Sequence, residues 1–331
     1  MLYVNGTLLS SISLEMIHGL ACMQQATSNF LQQLDSSSTV PDNNGPYLCL
    51  MQGEEACVDS RQLPGLVIGS QDATTCMVAI ISCPATQLVW CAHLDQQLLG
   101  KDDVTLLLDS LSNMQQPQLY LAGAYCDTKS LGPATAQAFL QLLHSLQVAI
   151  HLQLACVAAA NTAPDGSPHS CCLVLDTASQ TPYPWVFANR GPEVPRRLAA
   201  QHCRWHSNHL LLNIWCPQQR ALALPAFDAT CLSSWQVMQH ERLLWLPDAQ
   251  LLQLISTSPE HEPAWFVQDM RAMLQFLVEA QEPDSEQRRA ASSAAHYGWC
   301  SASSSWQPLK AAAAVAAAVP AGGAEPAEAM A

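Results

Sequence analysis

The chain has 331 residues, 49% of them hydrophobic, enough to bury the core of one large mixed domain or of two ordinary ones. Its formal charge is −14, from 13 Lys and Arg against 27 Asp and Glu, and the basic residues cluster no further than the pairs Arg196-Arg197 and Arg288-Arg289. Nucleic acid and anionic membranes are therefore not expected as partners. Charged residues make up only 12% of the chain, so Gln, Ser, Thr and Asn must supply much of the polar surface.

No Lys or Arg precedes Arg61, which argues against a signal or transit peptide. The apolar run from Ala311 to Val319 has about half the length of a membrane span. The expected setting is the cytoplasm, with the nucleus as a second location. The 14 cysteines, spread from Cys22 to Cys300 without a CxxC pair, then read as reduced thiols.

In chain order, Leu2 to Val4 reads as a short strand, turned at Asn5-Gly6 into an amphipathic helix over Leu14 to Leu34. Residues 35–46 have the composition of a mobile loop, followed by strands over Tyr47 to Met51 and Leu66 to Ile68. Met77 to Ile81 and Leu88 to Ala92 flank Cys83-Pro84-Ala85-Thr86, read as a tight hairpin. A strand over Gln118 to Gly123, a helix over Pro133 to Leu146 and a strand over Val148 to Ala158 follow. Cys171 to Leu175 and Trp185 to Phe187 read as strands around a turn, and a helix begins at Val194. Leu210 to Trp215 and Ala221 to Leu224 form a hairpin, and Pro263 to Ala280 is an amphipathic helix. From residue 283 to 331, Ser, Ala, Gly and Pro dominate, which predicts a disordered low-complexity tail after a single domain over 1–282.

The first hairpin carries the chemistry. A tip between Pro84 and Ala85 places Cys76 opposite His93, and directly opposed side chains share a face with Cβ atoms about 4.5–5.5 Å apart. Asp95 falls on the same face, where it would orient the imidazole. A Cys-His pair suits nucleophilic catalysis, because an imidazolium beside the sulfur favours the thiolate. The plain alternative is a packed thiol and a satisfied strand-end histidine. By the same alternation Met77, Ala79 and Ile81 share one face with Leu88, Trp90 and Ala92, while Val78, Ile80, Val89 and Cys91 share the other. Both faces are apolar and should be covered.

The run Gly69-Ser70-Gln71-Asp72-Ala73-Thr74-Thr75-Cys76, followed by Ala92-His93-Leu94-Asp95, strongly resembles the protein N-terminal asparagine amidohydrolase family. Leu121 to Tyr125, Ile150 to Leu152, Arg190 to Glu193, Ser256 to Pro259, Glu262-Pro263 and Phe266-Val267 continue the resemblance in order, over about residues 1 to 282. The opening Met1 to Gly6 is most similar to plant-type members. Gln71 stands where animal members carry a second Asp, Met77 where they carry His, and Ala124 where they carry Gly. Asn213 to Cys216 also departs from the family pattern.

The resemblance implies an α+β fold of mixed, largely antiparallel sheets covered by helices, an α-β-β-α sandwich like that of bacterial Cys-His deamidases. It also implies hydrolysis of the side-chain amide of an N-terminal Asn, releasing ammonia. Cys76 would attack, His93 would move protons, and backbone N–H groups from Thr75 to Met77 would hold the oxyanion. Asp72, Asp95 and Glu262 are the candidates for the substrate α-ammonium group, with Ser70, Ser256 and Ser258 as further substrate contacts. No cofactor or metal is implied; His202 and His206 have helical metal-like spacing, but the run is expected to pass from helix to strand. The expected partners are proteins or peptides with a free N-terminal Asn, and the expected state is a monomer. A non-catalytic binder of N-terminal Asn and a thiol amidase of other amide specificity are the alternatives.

Overall fold

Two runs in which nearly every residue is apolar, 77–83 and 88–94, pair as the hairpin at the centre of the largest sheet. The computed structural model describes residues 1–35, 45–95, 105–207 and 211–309. The first half of the chain forms β1 (Leu2–Val4), β2 (Thr7–Leu8), α1 (Leu14–Gly19), α2 (Ala21–Asp35), β3 (Tyr47–Leu50), β4 (Glu54–Asp59), β5 (Val67–Ser70), β6 (Met77–Cys83), β7 (Leu88–Leu94) and α3 (Thr105–Ser112). Next come β8 (Gln118–Tyr125), α4 (Leu131–Ser145), β9 (Ile150–Ala158), β10 (Leu173–Asp176), β11 (Thr181–Tyr183) and α5 (Val194–Ser207). The remainder forms β12 (Leu212–Asn213), β13 (Trp215–Cys216), β14 (Ala221–Leu224), α6 (Ser234–Leu244), α7 (Asp248–Ile255), α8 (Phe266–Glu279), α9 (Glu286–Ala291), β15 (Ala295–Cys300) and β16 (Ser305–Pro308).

The large sheet has the order β12-β4-β7-β6-β8-β9-β1-β2 and mixes parallel with antiparallel pairs. Met77, Ala79, Ile81, Trp90 and Ala92 lie on one face, packed with Ile17 of α1, Leu107 of α3 and Phe139 and Leu140 of α4. The other face, with Val78, Ile80, Val89 and Cys91, packs on a second sheet of order β11-β10-β5-β3 and on Trp215 and Leu222 of a third. The third sheet is β13-β14-β15-β16. A separate apolar cluster ties α5, α7 and α8 together, with Val237 and Leu243 of α6 packed on it. The expected α+β arrangement of sheets covered by helices is thus present.

Three expectations are corrected. Leu20, in extended conformation, divides the helix expected over Leu14 to Leu34. The strand expected at Trp185 to Phe187 instead falls at Thr181–Tyr183, paired with β10. Residues 283–309 are folded rather than a tail: α9 packs Ala291 with Ala229 and Ala280, and β15 and β16 complete the third sheet. Composition hid this segment, whose Tyr297 and Trp306 supply the burial that Ala and Ser do not. Residues 36–44 of the expected loop, and residues 310–331, lie outside the described residues.

Candidate active site

A cavity of about 530 Å³ opens between the open end of the β6–β7 hairpin, opposite its loop, and the helices α5 to α8. Cys76, His93, Asp72, Thr75, Asp95, Ser256 and Glu262 all line it. The hairpin register explains why two of these, Cys76 and His93, share a face and line one wall. β6 and β7 pair Met77 with Leu94 and Val78 with His93, closing over a four-residue loop at 84–87 in which Gln87 takes φ 60°. The register differs by two residues from the one expected, so Cys76 lies diagonally from His93 instead of directly opposite. A two-residue shift preserves the face, because side chains alternate with period two.

Cys76 sits just before β6, 8% exposed. Its carbonyl accepts a hydrogen bond from Ala124 at 2.6 Å, and the Thr74 carbonyl accepts one from Tyr125 at 3.1 Å. Gly123 makes this close approach feasible: it has φ 99°, and a Cβ there would fall 2.7 Å from the Cys76 carbonyl oxygen and 2.8 Å from that of Ala73. Ala124, standing where the resemblance has Gly, also takes a left-handed φ of 48°. Among the described residues, the amide N–H groups of Thr75 and Cys76 have no acceptor. The Thr75 hydroxyl is 2.9 Å from that of Thr257.

His93 is 2% exposed, and its orientation comes from the second sheet. Ser70 Oγ lies 2.7 Å from His93 Nδ1 and 2.5 Å from the Leu50 carbonyl oxygen. A carbonyl can only accept, so Ser70 donates its proton there and accepts from Nδ1–H. Nε2 therefore carries the lone pair, and among the described residues it is buried without a hydrogen-bond partner. Burial pushes the imidazole down to about 3, so the ring is neutral at physiological pH. Burial also raises the Cys76 thiol, with Asp95 and Glu262 adding to the effect and Thr75 opposing it. Both shifts favour a neutral thiol and a neutral imidazole, the direction opposite to the expected thiolate-imidazolium pair.

Several residues expected to touch substrate do something else. Ser70 is fully buried behind His93. Ser258 is equally buried and donates to Thr74 Oγ1 at 2.7 Å, holding the loop before Cys76. Asp95 does not orient the imidazole, whose Nδ1 is taken by Ser70; it accepts from Gln52 Nε2 at 2.8 Å and faces the cavity. Ser256 lines the cavity, donating to Glu262 Oε1 at 2.5 Å while accepting from the Ser258 amide at 3.0 Å. Asp72 takes φ 64° and accepts from Trp265 Nε1 at 3.2 Å and from Gln71 Nε2 at 3.4 Å. Burial raises the carboxyls of both Asp72 and Glu262, the latter to about 7, with the charges of Asp72 and Glu260 adding to the rise at Glu262 and that of Asp269 adding to the rise at Asp72.

The profile of the protein N-terminal asparagine amidohydrolase family matches residues 35–308. The chain belongs to that family. Curated relatives named protein N-terminal asparagine amidohydrolase are 26% identical to it in pig, over 71% of this chain and 76% of theirs, and in human, over 72% and 77%. The mouse relative of the same name is 26% identical over 72% of this chain and 78% of its own. The match runs through β15 and β16, so the third sheet is part of the family's extent.

Further residues, several of which sequence reasoning gave no role, frame the candidate site. Arg197, fully buried, donates from Nε to Glu54 Oε1 at 2.8 Å and from Nη2 to Glu54 Oε2 at 2.5 Å and the Cys49 carbonyl at 2.8 Å. Glu54 in turn accepts from the Met51 amide, so this ion pair shapes the stretch Cys49 to Gln52 that lines the cavity. Arg190 pairs with Asp269 and stacks over Trp265, 5.7 Å from the ring centroid. Gln71 accepts from the Phe187 amide at 2.7 Å. The basic doublet Arg196-Arg197 was the available signal for the buried pair; nothing local marked Trp265. His202 and His240 also line the cavity with their rings in edge contact, while the side chains of His206 and His209 lie outside the described residues.

Proposed function

We propose that this chain hydrolyses the side-chain amide of an N-terminal Asn on proteins and peptides, giving N-terminal Asp and ammonia. The observation that carries this reading is the single cavity joining Cys76 and the free Nε2 of His93 to the carboxyls of Asp72 and Glu262. The carboxylates suit a free α-ammonium group, and the thiol suits an amide carbon one side chain away.

In the first half-reaction, His93 Nε2 takes the thiol proton as Cys76 Sγ attacks the amide carbon. The oxyanion is held by the unoccupied amides of Thr75 and Cys76; Met77, a strand residue paired with both Leu94 and Gly123, is the least suited of the three expected donors. The imidazolium then protonates the amide nitrogen, the C–N bond breaks, and ammonia leaves a Cys76 thioester. In the second, His93 deprotonates water, hydroxide adds to the thioester carbon, and the C–S bond breaks as His93 returns its proton to the Cys76 sulfur, releasing Asp and restoring the thiol and the neutral imidazole. A neutral resting imidazole is the protonation state this cycle starts from. We further infer action on N-terminal Asn in the cytoplasm or nucleus, by a monomer, with the Asp product feeding the arginine branch of N-terminal degradation signalling.

The test is ammonia release from three peptides alike except at the first position: Asn, Gln and acetyl-Asn. Asn should exceed Gln by on the order of 10² or more, since a two-point pocket rejects the extra methylene and misplaces the attacked carbon. Acetylation should abolish turnover, and so should Cys76→Ala in a chain that melts normally. Turnover of acetyl-Asn at the rate of free Asn, or retention of activity in Cys76→Ala, refutes the proposal.

A further inference from the structure

The cavity extends well beyond the reacting groups, with a volume in the range that admits ligands much larger than one Asn residue. Much of its remaining lining is apolar and comes from the helical layer: Leu198 of α5, Leu243 of α6, Ile255 of α7, and Met270, Met273 and Leu274 of α8. These side chains belong to or pack on the cluster of the helical layer, apart from both sheet cores. Leu198, Leu243, Ile255 and Met270 keep part of their surface accessible.

An N-terminal Asn held at its α-ammonium and its side-chain amide has little freedom left. Its second residue follows with its Cα about 3.8 Å from the first, so that residue's side chain is confined near the same cavity. We propose that this apolar lining receives the side chain of the substrate's second residue, and selects an apolar side chain there over glycine. The inference rests on the deamidation reading above. Two methionines in the lining favour tolerance among apolar shapes, since the unbranched thioether repacks readily. The acidic residues Asp72, Asp95, Glu262 and Asp269 share the cavity, with Arg190 already paired to Asp269, so an acidic second residue is disfavoured.

The experiment measures kcat/KM for three peptides of equal length beginning Asn-Leu, Asn-Gly and Asn-Glu, with the full chain and with Met270→Lys. Asn-Leu should exceed Asn-Gly by on the order of tenfold, the discrimination expected of a partly enclosed apolar pocket, and Asn-Glu should be poorest. Met270→Lys should raise the Glu-to-Leu ratio on a similar scale. Equal kcat/KM for Asn-Leu and Asn-Gly in the unmutated chain overturns the proposal whether or not the variant folds, as does an unchanged ratio in a folded variant. If Asn-Gly reacts while the preference is absent, the deamidation reading stands and the second-residue pocket fails. If no Asn peptide reacts, the deamidation reading fails and takes this one with it.

Discussion

The hydroxyl of Ser70, 2.7 Å from His93 Nδ1, comes from a strand of one sheet and fixes an imidazole carried by a strand of another. Because the same hydroxyl donates to Leu50, the proton on the ring is assigned to Nδ1 and the lone pair to Nε2, the nitrogen that our mechanism uses first. An imidazole oriented this way needs no carboxylate partner. That agrees with Asp95 being turned to Gln52 and the cavity.

Ser70→Ala tests this relationship. The variant leaves Nδ1 buried without an acceptor, which should destabilise the protein by about 1–3 kcal/mol. Because the ring loses its fixed tautomer, kcat should fall on the order of 10²-fold, short of the roughly 10⁴-fold loss when a wrong tautomer is enforced in a serine-protease triad. KM should change little, since Ser70 does not line the cavity. A variant with lower melting temperature but unaltered kcat would make Ser70 a packing residue only.

The pH dependence of kcat/KM should be set largely by Glu262 on the acid side. Burial raises its carboxyl to about 7, so protons bind as the pH falls below that value and the negative charge facing the substrate α-ammonium is lost. His93, neutral down to about 3, contributes no limb in the free enzyme. On the alkaline side the substrate α-amino group loses its own proton near pH 7.7–8.0, roughly the value in model peptides, so the profile should be bell-shaped with a narrow top. Glu262→Gln should remove the acid limb near 7 and raise KM more than it lowers kcat. An acid limb that persists unmoved in Glu262→Gln assigns it to another group.

The part of the site legible in the sequence was the part that alternation controls. Cys76 and His93 share a face by parity alone, so an error of two in the hairpin register left them on the same wall of the cavity. Exact pairing depended on the loop length, which Pro84 and Ala85 did not reveal. No strand is expected over β4, where Glu54 and Glu55 break the apolar pattern, yet Arg197 neutralises the first and Trp90 Nε1 donates to the second at 2.9 Å. Such compensation comes from residues 143 and 35 positions away, beyond any local pattern. The Ser70 contact and the Trp265–Asp72 contact are non-local in the same way.

The last prediction concerns the C-terminal segment. Trp306 of β16 is 7% exposed, donates from Nε1 to the Tyr47 carbonyl at 2.9 Å, and meets Trp215 and Trp299 edge-on. The Phe227 amide donates to the Ala291 carbonyl at 2.8 Å, and Arg196 donates to Ser293 from the same helix that carries Arg197. A chain ending at Glu282 loses all of these contacts and leaves β14 as an unpaired edge beside an uncovered Trp215. The loss should be at least about 3–5 kcal/mol, the cost of deleting a single buried Trp side chain. Because α5 also supplies Arg197 and Leu198 to the cavity region, loosening its N-terminal half should lower ammonia release from an Asn peptide as well. A chain ending at Leu309 keeps every one of these contacts and should match the full chain in melting temperature and turnover. Thermal unfolding and ammonia release of the two shortened chains, side by side, decide the matter: a chain ending at Glu282 that melts with the full-length protein would show that the third sheet adds nothing to the fold.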